Sequence, residues 1–163
     1  MKEKIVWQFT NKRELTSSEF IRYFESKVKK TIRKYQMPIS LLQEKTLKAR
    51  VLNSIIKNLP ERKGKLSDEN LNNISNKIIY IMMYGKESQL KKLLPKNQPL
   101  YFLSDKEIEL YAKIKKIKGK LEKPKSNLKE IDNFVVKIEE KNPDIRHNIV
   151  NALLSTWRQF YKI

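Results

Sequence analysis

Residues 16–35 read TSSEFIRYFESKVKKTIRKY. Thr16 and Glu19 have the Ser/Thr-x-x-Glu spacing of a capping box, and Leu15 and Phe20 flank them at staple spacing, so a helix start is specified here. At roughly 100° per residue, Phe20, Ile21, Phe24, Val28, Thr31, Ile32 and Tyr35 gather on one side. Arg22, Lys27, Lys29, Lys30, Arg33 and Lys34 gather on the other, with Tyr23 among them. One face of this helix is built to dock on a core. The other presents cations, and a phosphate backbone is the natural partner for such a face.

The same signals recur along the chain. Residues 4–9, KIVWQF, predict a strand. Beyond Pro38, Ser40 and Gln43 at capping spacing predict a second helix over about 40–58. Pro60 to Lys65 reads as a basic turn. A third helix is expected from Ser67 to Gly85, and a short one over 87–94 that Pro95 closes. Residues 99–103, PLYFL, suggest a second strand. Ser104 and Glu107 open another capping box, for a helix that ends at Gly119. An amphipathic helix follows over 126–141, Asn142-Pro143 breaks it, and a last helix from Asp144 carries Ile145, Ile149, Leu153, Trp157 and Phe160. The expected fold is mostly α, a compact bundle of about five to seven helices with at most two or three short strands. We expect a single domain over 1–163: an N-terminal strand or arm (1–15), a basic helical half (16–95), and a strand with C-terminal helices (99–163).

Composition limits the chemistry. The 163 residues hold 36 Lys and Arg against 18 acids, a net charge of +18, with 39% hydrophobic residues and no Cys. Such an excess makes the folded chain repel itself unless anions offset it. Absence of Cys excludes disulfides, cysteine–zinc sites and thiol nucleophiles. No apolar run approaches the length of a membrane span, and the N-terminus lacks the apolar core of a signal peptide, so a cytoplasmic location without a membrane partner is expected. Charge is uneven: residues 1–35 carry net +6 and 36–66 net +5, whereas 126–163 carry net +1.

Catalytic constellations are missing from the sequence. His147 is the single histidine, and the three glycines, Gly64, Gly85 and Gly119, are too scattered for a phosphate cradle. Asp68/Glu69 and Asp105/Glu107/Glu109 lie in expected first turns, where acids favour the positive end of the helix dipole. Glu139-Glu140 falls on a solvated face. No enzyme, cofactor, metal or small-molecule substrate is therefore expected. The binding features are stronger. Residues 113–125, KIKKIKGKLEKPK, contain seven lysines and one acid. Lys115, Lys116, Lys118 and Lys120 are its candidate contacts, and Arg62, Lys63 and Lys65 add a second basic element. Tyr23, Tyr80, Tyr84 and Tyr101 could offer platforms for unpaired bases, although the aromatics outside the basic helix read first as core or core edge. Lysines outnumber arginines 29 to 7, which favours phosphate and shape recognition over base readout.

Residues 20–35, FIRYFESKVKKTIRKY, resemble the helix that follows the N-terminal zinc knuckle in tRNA 2-thiolation enzymes of the PP-loop ATP pyrophosphatase family. Residues 100–117, LYFLSDKEIELYAKIKKI, look like that family's PL-x-x-x-x-EKE-x-x-LYA segment. Residues 131–154, IDNFVVKIEEKNPDIRHNIVNALL, are similar to its C-terminal helical pair, and KARVLNSIIKNLP and LSDENLNNISNKIIYIMMYGK bear a weaker likeness. The phosphate loop SGGxDS, both zinc knuckles and the catalytic cysteines are absent, so the resemblance implies a degenerate, inactive relative that keeps the RNA-facing helices.

The expected function is non-catalytic binding of structured RNA in the translation machinery. A ribosomal or ribosome-associated protein on rRNA, with neighbouring ribosomal proteins as further partners, fits the size and basicity. The alternatives are an inactive tRNA-binding partner of a tRNA thiolation enzyme and a DNA-packaging protein.

Overall fold

The computed structural model describes residues 4–161. Among these the chain is mostly helical, as expected. Its elements are β1 (Ile5–Gln8), β2 (Glu14–Thr16), α1 (Ser17–Lys34), α2 (Leu47–Ile56), α3 (Leu71–Met83), a 3-10 helix (Glu87–Leu93), α4 (Asp105–Ile114), α5 (Ser126–Glu139) and α6 (Ile145–Tyr161). They fall into two compact units interleaved in sequence, Met1–Asn70 with Lys96–Glu122, and Leu71–Pro95 with Lys123–Ile163. The expected division at 95–99 falls at one unit boundary, Pro95/Lys96, but the expected halves 16–95 and 99–163 each hold parts of both units.

The first unit forms around α1. Phe20, Phe24, Val28 and Ile32 are fully or almost fully buried. They pack with Val51, Leu52 and Ile56 of α2 and with Ile108 and Tyr111 of α4. Phe24 stacks on Tyr111 with ring centroids 4.3 Å apart. Burying each such aromatic or aliphatic side chain stabilises by about 1.5–3 kcal/mol. Both capping boxes form: Thr16 accepts from Glu19 N and Ser104 from Glu107 N, and each glutamate accepts from the cap's own N–H.

The second unit packs α3 against α5 and α6. Leu128, Ile131 and Val135 of α5 form a core with Ile79, Tyr80 and Ile145. Val150 and Leu153 of α6 are buried as well, while Trp157 is half-buried. Phe160, expected on the same stripe, lies outside the residues whose side chains are described.

Several expectations are corrected. Residues 99–102 are turns, not a strand. Tyr101 N–H donates to Gln98 O and Leu103 N–H to Leu100 O, so the backbone is satisfied locally without a partner strand. The second strand is instead β2, which pairs antiparallel with β1; three residues are too short to show a period in sequence. Helix α2 begins after Thr46, which caps Ala49 N–H, while Ser40 lies outside the helix and donates to Gly64 O. Helix α3 begins at Leu71 rather than Ser67. Helix α4 ends at Ile114, not Gly119. Lys116 takes the left-handed conformation, φ 56°, while Lys116 N–H bonds Lys113 O and Ile117 N–H bonds Ala112 O, the pattern of a Schellman motif.

Candidate nucleic-acid interface

With the apolar stripe of α1 docked, Arg22, Lys29, Lys30, Arg33 and Lys34 are all exposed. Arg22, Lys29 and Arg33, at i, i+7 and i+11, lie within about 40° of one another around the axis and form a row. Lys30 and Lys34 both lie to one side of it, about 80° and 120° round from its centre. Arg33 and Lys34 occupy the last turn, where cations meet the negative end of the helix dipole. Lys29 Nζ lies 3.9 Å from Glu25 Oε2, an exposed i, i+4 pair that contributes little.

Two expected contacts are turned inward instead. The Tyr23 hydroxyl donates to Glu107 Oε1 at 2.7 Å, and Lys27 Nζ donates to the Tyr23 oxygen at 2.8 Å. Lys27 also lies 3.7 Å from Glu107, whose side chain is 3% exposed. Burial, reinforced by the Glu107 carboxylate, pushes the Tyr23 phenol well above its ordinary value. Burial holds the Lys27 ammonium below its own, with Glu107 opposing. Neither residue belongs to the outward face. The physical reason is α4, which delivers a buried carboxylate beside the edge of the apolar stripe, where Lys27 falls about 20° from Phe20 on the helical wheel. Tyr101 is likewise fully buried and offers no stacking face.

The turn carrying Arg62, Lys63 and Lys65 is placed against the strap that follows α1. Ile39 and Arg62 form an antiparallel bridge, with both N–H···O bonds at 3.0 Å. Gly64 sits at φ +137°, where a Cβ would come within 2.6 Å of Pro38 Cβ. Only glycine fits, so the turn is pinned just beyond the C-terminal end of α1. All three basic side chains are exposed.

Lys115, Lys116, Lys118 and Lys120 are also exposed, at the end of α4 and in the loop after it, and that loop is tied to α2. Arg50 Nη1 donates to Lys118 O at 2.7 Å. Gly119 at φ +143° leaves space for Leu47 and Arg50, each 3.3 Å from where its Cβ would stand. Ile117 and Leu121 pack on the core between the lysines. The structure therefore joins the α1 row to the 62–65 turn and anchors the third basic element separately within the same unit.

The β-hairpin adds two cations the sequence reading missed. Lys12 and Arg13 lie at its exposed tip, with Lys12 at φ 64°. Arg13 sits over the Phe9 ring at 5.7 Å, and Phe9 packs edge-on against Tyr23 at 5.1 Å. The tip is thereby fastened to α1. The signal was the polar run TNKRE between two apolar segments. The first unit holds 24 basic and 12 acidic residues, net +12, and the second 12 and 6, net +6.

The acidic clusters are engaged in folding contacts. Asp68 accepts from Thr46 Oγ1, and Asp105 accepts from Asn70 Nδ2 at 2.7 Å. In the second unit Arg146 is completely buried. Its guanidinium donates to Asp132 Oδ1 at 2.9 Å, Asn76 Oδ1 at 2.7 Å and Ser75 Oγ at 3.0 Å, and its Nε lies 3.1 Å from Glu139 Oε1. His147 is half-buried on the same helix. Among the described residues there is no group of three His, Cys, Asp or Glu that could hold a metal, and no helix is long and apolar enough to cross a membrane.

No protein-family model matches this chain, and no curated protein matches it. The likeness to the PP-loop thiolation enzymes therefore rests on the quoted segments alone.

Proposed function

We propose that this protein binds structured RNA through the first unit, without catalysing a reaction, as a component of the translation machinery whose leading candidate ligand is ribosomal RNA. The observation that carries this is the exposed row Arg22, Lys29 and Arg33 with Lys30 and Lys34 to one side of it, continued by the pinned turn at 62–65. Helix α1 has 18 residues and is about 27 Å long at 1.5 Å per residue. The hairpin tip and the turn extend the basic edge at its two ends. A rigid edge of this kind suits a run of phosphates, because its cations are held in place before the ligand arrives. Helix and turn together present about eight cations for phosphate contact, so log affinity should fall with log salt with a slope of roughly −4 to −7.

The test is to replace Arg22, Lys29 and Arg33 together with Glu and measure binding to ribosomal RNA fragments and to transfer RNA. At about 0.15 M salt, loss of three phosphate contacts lowers affinity on the order of 100-fold, and charge reversal adds to that. Unchanged affinity defeats the proposal. Equal affinity of the wild type for duplex DNA and structured RNA would favour DNA packaging instead.

A further inference from the structure

We propose that the exposed C-terminal end of α3, in the second unit, is a stacking site for unpaired bases of single-stranded RNA. This rests on the RNA-binding reading above and adds a second kind of contact to it. Met82, Met83 and Tyr84 are consecutive and 54%, 68% and 61% exposed. The core does not require them, since Ile74, Ile78 and Ile81 form the buried face of α3. Tyr80, one turn before Tyr84, packs on the α5 core of Leu128, Ile131 and Val135 and is held in place. Tyr84 lies against it, with ring centroids 4.6 Å apart at 41°, and is itself mostly exposed.

The backbone brings charge to this aromatic pair. Gly85 takes φ 59°, and Lys86 N–H returns to Ile81 O at 3.0 Å. That reversal folds Lys86 back so that its Nζ stands 5.7 Å from the Tyr80 ring centroid and 6.0 Å from that of Tyr84. The 3-10 helix that follows packs on α3 and exposes Lys91 and Lys92. Between residues 77 and 92 there are four lysines and one acid, Glu87. An apolar partner would gain nothing from this charge, and a second copy would bring like charges together. A nucleotide answers both features: its base stacks on the exposed ring and its phosphate meets a lysine. Bases inside a duplex have no free face, so the ligand is unpaired.

The test uses the full chain, an adenosine oligomer of about ten nucleotides as the single-stranded probe, and a blunt RNA duplex. Tyr84→Ala should weaken oligomer binding roughly 5- to 100-fold and leave duplex binding within about two-fold, because stacking on one ring is lost and the phosphate contacts of α1 are not. Tyr84→Phe should bind the oligomer as the wild type does. Wild-type oligomer affinity in Tyr84→Ala overturns the inference, as does a wild-type dimer in sedimentation that this substitution dissolves. The α1 charge-reversal variant separates the two proposals. If it binds duplex RNA normally, the RNA-binding surface of the first unit is misplaced. If it fails there while Tyr84→Ala binds both probes normally, only the stacking site falls. Wild-type protein that binds neither probe ends both.

Discussion

In α1 of the first unit, Arg22 and Arg33 stand in solvent, while in α6 of the second unit Arg146 is entirely buried. Both helices are amphipathic, and both belong to a chain with far more cations than anions. The difference lies in what the neighbouring elements offer. Helices α3 and α5 deliver Asp132, Glu139, Asn76 and Ser75 to one guanidinium, so its charge is paired and both terminal nitrogens are hydrogen-bonded, while Nε lies near Glu139 without a hydrogen bond. At the row on α1, by contrast, the ion pair is the exposed Lys29–Glu25 contact at 3.9 Å within one helix. Lys27 is the intermediate case, next to Phe20 at the edge of the apolar stripe and drawn to Glu107. A cation in this protein is therefore a candidate ligand contact only where tertiary structure leaves it no carboxylate.

Replacement of the inward arginine tests this contrast most severely. Arg146→Met leaves Asp132 and Glu139 without their counter-charge and should cost about 3–5 kcal/mol in denaturant unfolding. Converting Asp132 and Glu139 to apolar residues as well should recover most of that loss. A cost under about 1 kcal/mol for the single change would mean that the cluster is solvated and the contrast false.

The next effect is alkaline. Burial pushes the Tyr23, Tyr101 and Tyr111 phenols well above their ordinary values, with Glu107 adding to the shift of Tyr23, Tyr35 to that of Tyr101, and Glu25 to that of Tyr111. All three lie in the first unit. A phenol whose folded value is raised keeps its proton in the fold and loses it in the unfolded chain. Its stabilisation is complete below the unfolded value of about 10 and is lost as pH rises through the folded value. Each contributes a slope of up to about 1.4 kcal/mol per pH unit in that window. Tyrosinate absorbance followed against pH should show these groups ionising together with loss of helical circular dichroism. Ionisation of all tyrosines near pH 10 with the fold intact would contradict their burial.

Smallest are the single-site effects that divide outward from inward lysines. Lys30→Ala should change stability by no more than about 0.5 kcal/mol and weaken RNA binding about five-fold, the worth of one phosphate contact. Lys27→Met should leave RNA affinity within about two-fold, because its ammonium is already engaged with Tyr23 and Glu107. The reverse result would move Lys27 to the interface and Lys30 out of it.

How much of this was legible is clearest in the helices themselves. The 16–35 helix, its capping box, the capping box at Ser104 and the break at Asn142-Pro143 all follow from local spacing, and the structure reproduces them. Residues 99–103 were misread because a short apolar run looks the same whether it is a strand or a chain of buried turns. The helix from Ser40 was misread because capping spacing also occurs outside helices: Ser40 donates to Gly64 O in a loop, and Thr46 is the residue that caps α2. Arg146 carried a signal that went unread. Counting about 100° per residue from Ile145, Ile149 falls near 40°, Leu153 near 80° and Trp157 near 120°, with Arg146 itself near 100° in the middle of the stripe. A cation at the centre of an apolar face announces a buried partner.

Periodicity and capping chemistry act over one or two turns, so the sequence alone was enough for the helical class, the boundaries of α1 and the outward placing of its cation row. It also sufficed for the excess of positive charge that calls for an anionic partner. Tertiary structure decided which cations remain outward. It took Tyr23 and Lys27 for Glu107, sank Arg146 among α3, α5 and α6, and set the 62–65 turn beside the end of α1 through Gly64 and Pro38. These outcomes depend on groups distant in sequence arriving at hydrogen-bond distance, and local spacing carries no record of that.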